Sequence, residues 1–310
     1  MTRTERAPQK DRGGWILVAG SANVDYVTRV AHIPAPGETV LGLDYTLSAG
    51  GKGANQAAAA GRAGGRVRFL GALGDDAAAA LLRRSLSESG VQDGSVTLGA
   101  PTGAAFISVS DAGENAITVA SGANRLLSSE HLGDLAEVAM LLLVLESPLE
   151  TVLDYARRAR AAGCPVLLNA SPARPLPGDL LACVDYLIVN EGELTALVGE
   201  AGDLNAKLSA ARQLGPQTVI VTLGARGSLS LSSAGLTEVP AHPVTVVDTT
   251  GAGDTYLGVL AASLHAGLPL PAAMQRASVA SALACTRTGA QPSMPWSGEI
   301  EAALAELKRE

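Results

Sequence analysis

The sequence of 310 residues predicts an α/β protein with a doubly wound, mostly parallel sheet flanked by helices and joined by a small β-sheet lid. Short, wholly apolar runs alternate along the chain with alanine-rich stretches long enough for crossover helices. A parallel strand that is buried on both faces has such a continuous apolar sequence. Two further segments instead alternate apolar and polar residues between turn signals, which predicts the separate lid.

The apolar runs predict the strands of the main sheet. The first, residues 15–20, ends in glycine and follows a polar tail that we assign to residues 1–13. The remaining strands are predicted at residues 138–145, 166–168, 186–189 and 219–222. The helices are predicted at residues 56–62, 77–89, 151–162 and 204–214. Right-handed crossovers through such helices would cover both faces of the sheet.

The lid is predicted from residues of about 26–48 and 97–120. The first segment carries Pro34, Pro36 and Gly37 among β-prone residues. In the second, apolar and polar residues alternate on either side of a turn at 111–115, which indicates a hairpin. Because the chain has no internal repeat and no low-complexity linker, the sequence predicts one domain, residues 14–310, that includes the lid.

Composition and charge exclude several classes of protein. An apolar content of 47% supports a substantial core and argues against general disorder. A net charge of −7 argues against nucleic acid as a partner, because a phosphate backbone is bound by clustered Lys and Arg. No apolar run is long enough for a membrane span or a signal peptide, so we expect no membrane partner and a cytoplasmic location. The cysteines are too widely spaced for a zinc site or a disulfide framework: Cys164, Cys183 and Cys285.

The strongest local motif is Asp-Thr-Thr-Gly-Ala-Gly-Asp at 248–254, just before a helix predicted over residues 255–266. Small residues at a helix N-terminus allow backbone N–H groups to approach an anion closely, and the helix dipole favours negative charge there. Asp254 at that position could accept a proton from a hydroxyl group beside the anion. The alternative interpretation is an aspartate that only caps the helix.

Two more motifs contain polar residues suited to a hydroxylated ligand. In Gly-Gly-Lys-Gly-Ala-Asn at 50–55, Lys52 is followed by glycine instead of Ser or Thr, so the segment is not a Walker loop. Asn23 and Asp25 follow the first strand two residues apart, so in an extended segment they face the same way. A glycine-rich turn and an Asx turn are the structural alternatives for these two motifs.

Three shorter signals follow later strands. They are Glu146, Asn-Glu-Gly-Glu at 190–193, and Thr-Leu-Gly-Ala-Arg-Gly at 222–227. Ligands of open α/β sheets bind outside the carboxyl ends of the strands, where these segments are predicted to lie. Each signal is weak by itself, since polar and glycine-rich residues are common after a strand.

Together the motifs resemble the ribokinase, or PfkB, family of carbohydrate kinases. Seven occur in the family's order between about residues 18 and 296, including Leu-Glu-Ser-Pro at 145–148 and Gly-Ala-Gln-Pro-Ser at 289–293. The forms at 50–55 and 289–293 favour the branch that acts on ribose. The resemblance implies transfer of the ATP γ-phosphate to the 5-hydroxyl of D-ribose, giving ribose 5-phosphate and ADP. It also implies Mg²⁺ with ATP, activation by K⁺, and a homodimer formed through the lid.

Matching positions assign roles to individual residues as the resemblance implies. Asp254 is expected to be the catalytic base, beside an anion hole of Gly251, Ala252 and Gly253. The sugar is expected to bind Asn23, Asp25, Gly51, Lys52, Asn55, Glu146 and Asp254. ATP is expected to bind Asn190, Thr222, Gly224, Ala225, Gly227, Gly253 and Ser278. Glu193 matches an acidic residue associated with Mg²⁺, and the K⁺ positions are Asp248, Thr250, Ala284, Arg287, Gly289 and Ser293.

Other functions stay open at this point. The nearest is a kinase of the same family that acts on 2-deoxyribose, another sugar or a nucleoside, although 3% aromatic residues provide few surfaces for stacking a base. A non-catalytic sugar sensor would have no physical need for Asp254 beside a glycine-rich anion loop. A Rossmann dehydrogenase is disfavoured because the first strand lacks the glycine fingerprint.

Overall fold

The computed structural model describes residues 13–307 and residue 309, so all of the predicted polar tail except Gly13 lies outside the described residues. The strands are β1 Trp15–Ala19, β2 Asn23–Val30, β3 Tyr45–Gly50, β4 Val67–Leu70, β5 Ala72–Leu73, β6 Gln92–Asp93, β7 Val96–Thr97, β8 Gly103–Ser110, β9 Asn115–Ala120, β10 Val138–Val144, β11 Val166–Asn169, β12 Tyr186–Asn190, β13 Thr218–Thr222, β14 Ser228–Ser232 and β15 Gly235–Val239. The helices are α1 Lys52–Arg62, α2 Ala77–Glu88, α3 Leu149–Ala161, α4 Gly178–Leu181, α5 Glu191–Val198, α6 Leu204–Gln213, α7 Ala252–His265, α8 Leu270–Ala284 and α9 Ser297–Leu307.

The main sheet has nine strands in the order β15-β14-β13-β12-β11-β10-β1-β4-β6. The pairs β13–β14 and β14–β15 are antiparallel, and the other pairs in this sheet are parallel. Strand β1 lies between β4 and β10, so the strand order changes direction beside β1. This is the topological switch point at which ligands of open α/β sheets bind.

Both faces of the main sheet are covered by helices, as the predicted doubly wound fold requires. In β1, Ile16 and Val18 pack into one apolar cluster with α1, α2, α7, α8 and α9. Leu17 and Ala19 pack into a second cluster with α3, α4, α5 and α6. The alternating side chains of one strand therefore contribute to two cores, one on each face. The predicted fold class is confirmed.

A separate sheet of four strands, in the order β3-β2-β8-β9, corresponds to the predicted lid. Strands β8 and β9 form the hairpin predicted from the alternating sequence. The first predicted segment is extended only at its ends, because residues 31–44 form no strand. Pro34 and Pro36 lack the N–H that a strand ladder needs, and Gly37 has a φ of +84°.

The two helices that follow the glycine-rich motifs begin three or four residues earlier than the sequence predicted. Helix α1 begins at Lys52 instead of residue 56, and α7 begins at Ala252 instead of residue 255. The glycines of both motifs are thus part of the helical turn or immediately before it. Helix α8 was not predicted, because it is buried on most sides and has no amphipathic stripe to detect. None of the helices in residues 13–307 combines the length and apolar character needed to cross a membrane.

Helices α1 and α7 pack unusually closely against each other. A Cβ atom added to Gly258 of α7 would lie 2.4 Å from the backbone oxygen of Gln56 and 2.6 Å from the Cβ of Ala59. The alanines of α1, residues 57–60, are all buried at this level of the fold. Only small side chains permit this backbone separation, which brings the first turns of the two helices together.

Candidate active site

The first turns of α1 and α7 begin next to the switch point. Each helix follows a glycine with a left-handed backbone, since φ is +86° at Gly51 and +74° at Gly251. A Cβ on Gly51 would lie 2.7 Å from the Cα of Ala22, and one on Gly251 would lie 2.9 Å from the Cα of Ala290. Neighbouring backbone thus passes too close for a side chain. The N–H groups of a first helical turn lack helical partners and attract anions.

Asp254 is buried in the first turn of α7 and accepts hydrogen bonds from two amides of α1. Asn55 Nδ2 donates to its Oδ2 over 3.0 Å, and Gln56 Nε2 donates to its Oδ1 over 2.9 Å. Both carboxylate oxygens are therefore oriented by neutral donors. A further bond from Gln291 Nε2 to Asn55 Oδ1, 3.1 Å long, continues this network. These contacts hold the Asp254 side chain in the wall of the cavity described below.

Two other carboxyl groups, those of Glu146 and Asp25, lie close to Asp254. Glu146, which follows β10, accepts hydrogen bonds from Ser21 Oγ at 2.5 Å and from the N–H of Lys52 at 3.1 Å. Burial, followed by the charges of Glu146 and Asp254, raises the pKa of Asp25 to about 7. Asp254 is buried, and Asp25 and Glu146 are half-buried. Three acidic groups this close together suit a ligand that presents several hydroxyl donors, because each carboxylate can accept from two of them.

Asn23 is held in place by Asn124, which lies in the 3₁₀ turn Gly122–Leu126 after β9. Its Oδ1 accepts from Asn124 Nδ2 over 2.8 Å, and Asn124 is itself anchored to both backbone groups of Ala22. Gly103 leaves room for this pair, since a Cβ there would lie 2.1 Å from Asn23 Oδ1. With its oxygen occupied, Asn23 retains its amide nitrogen as a donor for a ligand.

A cavity of about 250 Å³ opens at the carboxyl ends of the parallel strands. It brings together seven of the residues predicted from the motifs: Lys52, Asn190, Glu193, Thr222, Gly251, Gly253 and Asp254. Hydrogen bonds join Asn55 and Glu146 to members of this wall. Six further wall residues were not predicted as site residues: Asn169, Ser171, Ile188, Val189, Thr249 and Leu257. Other predicted positions do not line this cavity, among them Ala225, Gly227 and Ser278.

The part of the cavity wall at the end of β12 is formed by the residues that cap helix α5. Asn190 accepts from the N–H of Glu193 and Glu193 Oε2 accepts from the N–H of Asn190, both over 2.8 Å, which starts α5. Beyond β13, Gly224 begins a short 3₁₀ turn and Gly227 ends it with a φ of +93°. Arg226 in this turn forms an ion pair with Glu191. The turn is therefore tied to the helix that carries Glu193.

Comparison with known proteins identifies the family. A model described as "pfkB family carbohydrate kinase" matches residues 15–297. The chain belongs to the pfkB family of carbohydrate kinases. As a member, it is an ATP-dependent sugar kinase, and its relatives cover nearly the whole chain.

Among the relatives of this pfkB-family kinase, the ribokinase of Haemophilus influenzae is 35% identical over 90% of this chain and 95% of its own. The deoxyribokinase of Salmonella typhi is 36% identical over 90% of this chain and 95% of its own. Ribokinase from Thermotoga maritima has a TM-score of 0.89 at 35% identity, covering 94% and 99% of the two chains. Arabidopsis thaliana ribokinase, solved with ribose and ATP, has a TM-score of 0.85 at 30% identity, again covering 94% and 99%.

The residues expected around K⁺ form a structured loop in this pfkB-family kinase. Asp248 accepts from the N–H and hydroxyl of Thr250 and from the N–H of Gly289, over 2.7 to 2.9 Å. Partial burial opposes ionisation, but these hydrogen bonds lower the pKa of Asp248. Ala284 accepts a backbone bond from Arg287, whose side chain pairs with Glu299. No group of three or more His, Cys, Asp or Glu residues in the described part of the chain is arranged to hold a metal ion, so a cation here would depend largely on carbonyl and hydroxyl oxygens.

Two further predicted residues have local partners in the pfkB-family fold. Ser278 donates to the carbonyl of Pro240 over 3.0 Å, and Ser293 donates to the carbonyl of Ala290 over 2.8 Å. Their proposed contacts with adenine and K⁺ stay predictions. The sequence analysis assigned no role to Ser21, Gln56, Asn124 or Gln291, although Gln291 lies inside the motif at 289–293 and Gln56 directly follows the motif at 50–55.

The raised pKa of Asp25 predicts a pH-dependent stability. Between about pH 4 and pH 7, folded Asp25 holds a proton that the unfolded chain has released, so raising the pH through this window favours unfolding. Asp25→Asn cannot ionise. We therefore expect the variant to exceed the parent in Tm by a larger margin at pH 8 than at pH 5, measured by thermal unfolding without ligands.

Asp111→Asn provides the matched control, because Asp111 lies exposed in the turn between β8 and β9. This control should follow the parent at both pH values. A Tm difference between Asp25→Asn and the parent that is the same at pH 5 and pH 8 would contradict the assignment of a half-buried, proton-holding carboxyl group at this position.

Proposed function

We propose that this kinase transfers the γ-phosphate of ATP to the 5-hydroxyl of D-ribose in the cytoplasm, giving ribose 5-phosphate and ADP. The observation that carries the proposal is Asp254, which lies at the N-terminus of α7 with both oxygens oriented by amides and faces the cavity. Ribokinases 34% and 35% identical over nearly the whole chain support ribose as the acceptor. A related structure with ribose and ATP supports the pair of substrates.

In the proposed reaction, Asp254 accepts the proton of the 5-hydroxyl while the oxygen attacks the γ-phosphorus of ATP and ADP leaves. The N–H groups at Gly251, Ala252 and Gly253 stabilise charge on the transferred phosphoryl group. Asn23, Asp25 and Glu146 bind the other sugar hydroxyls, with Gly51, Lys52 and Asn55 completing the sugar site. Phosphoryl transfer depends mainly on positioning and charge stabilisation, which this set of residues provides.

The nucleotide is proposed to lie along the wall at β12 and β13. Asn190, Thr222, Gly224, Ala225 and Gly227 contact ATP, and Ser278 lies towards the adenine. Glu193 is proposed to accompany Mg²⁺, and its carboxylate on the cavity wall is the oxygen donor that this ion prefers. When bound with ATP, Mg²⁺ supplies positive charge that neutralises the phosphate oxygens.

The main alternative acceptor is 2-deoxyribose, because a deoxyribokinase is as similar to this chain as the ribokinases are. Sites built around a hydroxyl discriminate strongly against its absence, since buried polar groups lose their partner. We expect kcat/KM for ribose to exceed that for 2-deoxyribose, fructose and adenosine when ADP release is measured with each. An equal or reversed preference between ribose and 2-deoxyribose would reject ribose as the acceptor, but the chain would still be a sugar kinase.

The role of Asp254 as base is tested by Asp254→Asn, which keeps the shape of the side chain and removes its basicity. Loss of a general base lowers rates by about 10²–10⁴-fold, so kcat should fall by that factor while calorimetry detects ribose and ATP binding. Asp203→Asn is the matched control, because Asp203 caps the remote helix α6. Turnover by Asp254→Asn within a few-fold of the parent would refute this mechanism.

A monovalent cation is proposed to bind around Asp248, Thr250, Ala284, Arg287, Gly289 and Ser293. The oxygen-rich donor set suits K⁺, with Arg287 and Ala284 contributing through backbone oxygens. The loop contacts the anion hole, since Ala290 packs directly against Gly251. We expect the ADP-release assay at saturating ATP and Mg²⁺ to run faster in K⁺ than in Na⁺ at equal ionic strength. Equal rates would remove this cation site from the proposal.

The small sheet is proposed to act as a lid over the sugar and to pair with a second copy, giving a homodimer. It and the preceding loop expose large apolar side chains, namely Leu41, Leu43, Tyr45, Leu47, Phe106, Ile117 and Val119. Such an apolar surface is normally covered in a soluble assembly. Sedimentation velocity at micromolar concentration should detect a dimer, and a single monomeric species would contradict the pairing.

A further inference from the structure

Gln291 is the buried end of the network that holds Asp254. It begins the 3₁₀ turn Gln291–Ser293 and is 2% exposed. Its Nε2 donates to Asn55 Oδ1, and its Oε1 accepts from Ser85 Oγ of α2. Both polar atoms of this side chain thus have a hydrogen-bond partner: the nitrogen bonds to Asn55 of α1, and the oxygen bonds to Ser85 of α2.

The contact between Gln291 and Asn55 determines which way the Asn55 amide points. An ionised carboxylate only accepts hydrogen bonds, so Asn55 must turn its nitrogen towards Asp254 to bind it. Because Gln291 Nε2 occupies Asn55 Oδ1, the nitrogen of Asn55 is left facing Asp254 Oδ2. Ser85 in turn fixes the Gln291 amide by donating to its oxygen. The Asp254 carboxylate is therefore oriented through a series of hydrogen bonds that joins three side chains, those of Ser85, Gln291 and Asn55.

The backbone around Gln291 is fixed independently of this side chain. Arg62 Nη1 donates to the carbonyls of Gln291 and Met294 over 2.6 and 3.1 Å. The Arg62 guanidinium also lies 5.4 Å from the centroid of the Trp296 ring. A change confined to the Gln291 side chain should consequently leave the position of this segment intact.

The second amide on the base lacks a comparable support. Gln56 Nε2 donates to Asp254 Oδ1, while Gln56 Oε1 is buried and has no hydrogen-bond partner among the described residues. Within the described part of the chain, the Asp254 carboxylate is thus the one hydrogen-bond partner of the Gln56 amide. Of the two amides, Asn55 is therefore the one that is oriented by a residue outside the cavity wall, and that residue is Gln291.

We propose that Gln291 is a positioning residue for phosphoryl transfer, acting through Asn55 to keep Asp254 in the geometry needed to take the proton. The inference rests on the proposed role of Asp254 as base. Gln291 contacts neither the cavity nor the carboxylate, so its effect should fall on kcat and leave ATP binding unchanged.

Gln291→Met removes the donor while retaining a side chain of similar length. Small displacements of catalytic groups lower rates by up to about 100-fold, and we expect kcat about tenfold lower with the Kd for ATP within twofold of the parent. Gln217→Met is the matched control, because Gln217 Nε2 donates to Asp185 in another part of the chain. Ser85→Ala, which leaves Gln291 in place, should lower kcat in the same direction by a smaller factor.

Gln291→Glu supplies a signature that a purely structural role would not produce. When protonated, the introduced carboxyl group could again donate to Asn55 and accept from Ser85. When ionised, it could only accept, and it would attract the Asn55 nitrogen away from the base. The ratio of kcat for Gln291→Glu to kcat for Gln291→Met should therefore rise as the pH falls from 8 to 6. A ratio that does not change with pH would overturn the proposal.

The double variant with Asp254→Asn separates this inference from the proposed function. If Gln291 acts through the base, Gln291→Met should lower kcat in the parent but have no further effect on the residual rate of Asp254→Asn. A normal kcat in Gln291→Met, alongside an inactive Asp254→Asn, would overturn the positioning role and leave the base intact. An active Asp254→Asn would instead reject the proposed function.

Discussion

The close packing of α1 against α7 is the constraint on which the site depends. At Gly258 the backbone of α7 approaches the Gln56 carbonyl so closely that a Cβ there would be only 2.4 Å away. This contact places Asn55 and Gln56, at the start of α1, within hydrogen-bond distance of Asp254 at the start of α7. A larger residue at the crossing would separate the amides from the carboxylate. Packing between small residues thus sets the geometry of the polar groups.

The three carboxyl groups near the start of α1 differ in how their charge is stabilised. Asp254 is oriented by neutral amides and lies at a helix N-terminus, which stabilises a carboxylate without an ion pair. Glu146 is oriented in a similar manner by a hydroxyl and a backbone N–H at the start of α1. Asp25 receives less of this support, and with both charges nearby its pKa rises to about 7. The proposed sugar site therefore contains two oriented carboxylates and one that easily takes up a proton.

Much of the fold and many residues of the candidate site could be predicted from the sequence, because their signals are local. Apolar runs identify buried parallel strands, and the motif at 248–254 places Asp254 at a helix start. Contacts between residues that lie far apart in the sequence could not be predicted from it. Gln291 meets Asn55 across 236 positions, and Asn124 meets Asn23 across 101. Helix α8 lacks a periodic pattern because it is buried on most sides, and residues 31–44 contain β-prone residues that their prolines keep out of a ladder.

The sequence separation of these contacts has a consequence for biosynthesis. The amides of α1 are translated early, but the carboxylate that they orient follows 198 and 199 positions later and Gln291 later still. Because synthesis runs from the N-terminus, an emerging chain has the amides long before their partners leave the ribosome. The hydrogen-bond network around the proposed base can therefore be completed only after residue 291 has been translated, and a chain that ends before residue 254 lacks the carboxylate itself.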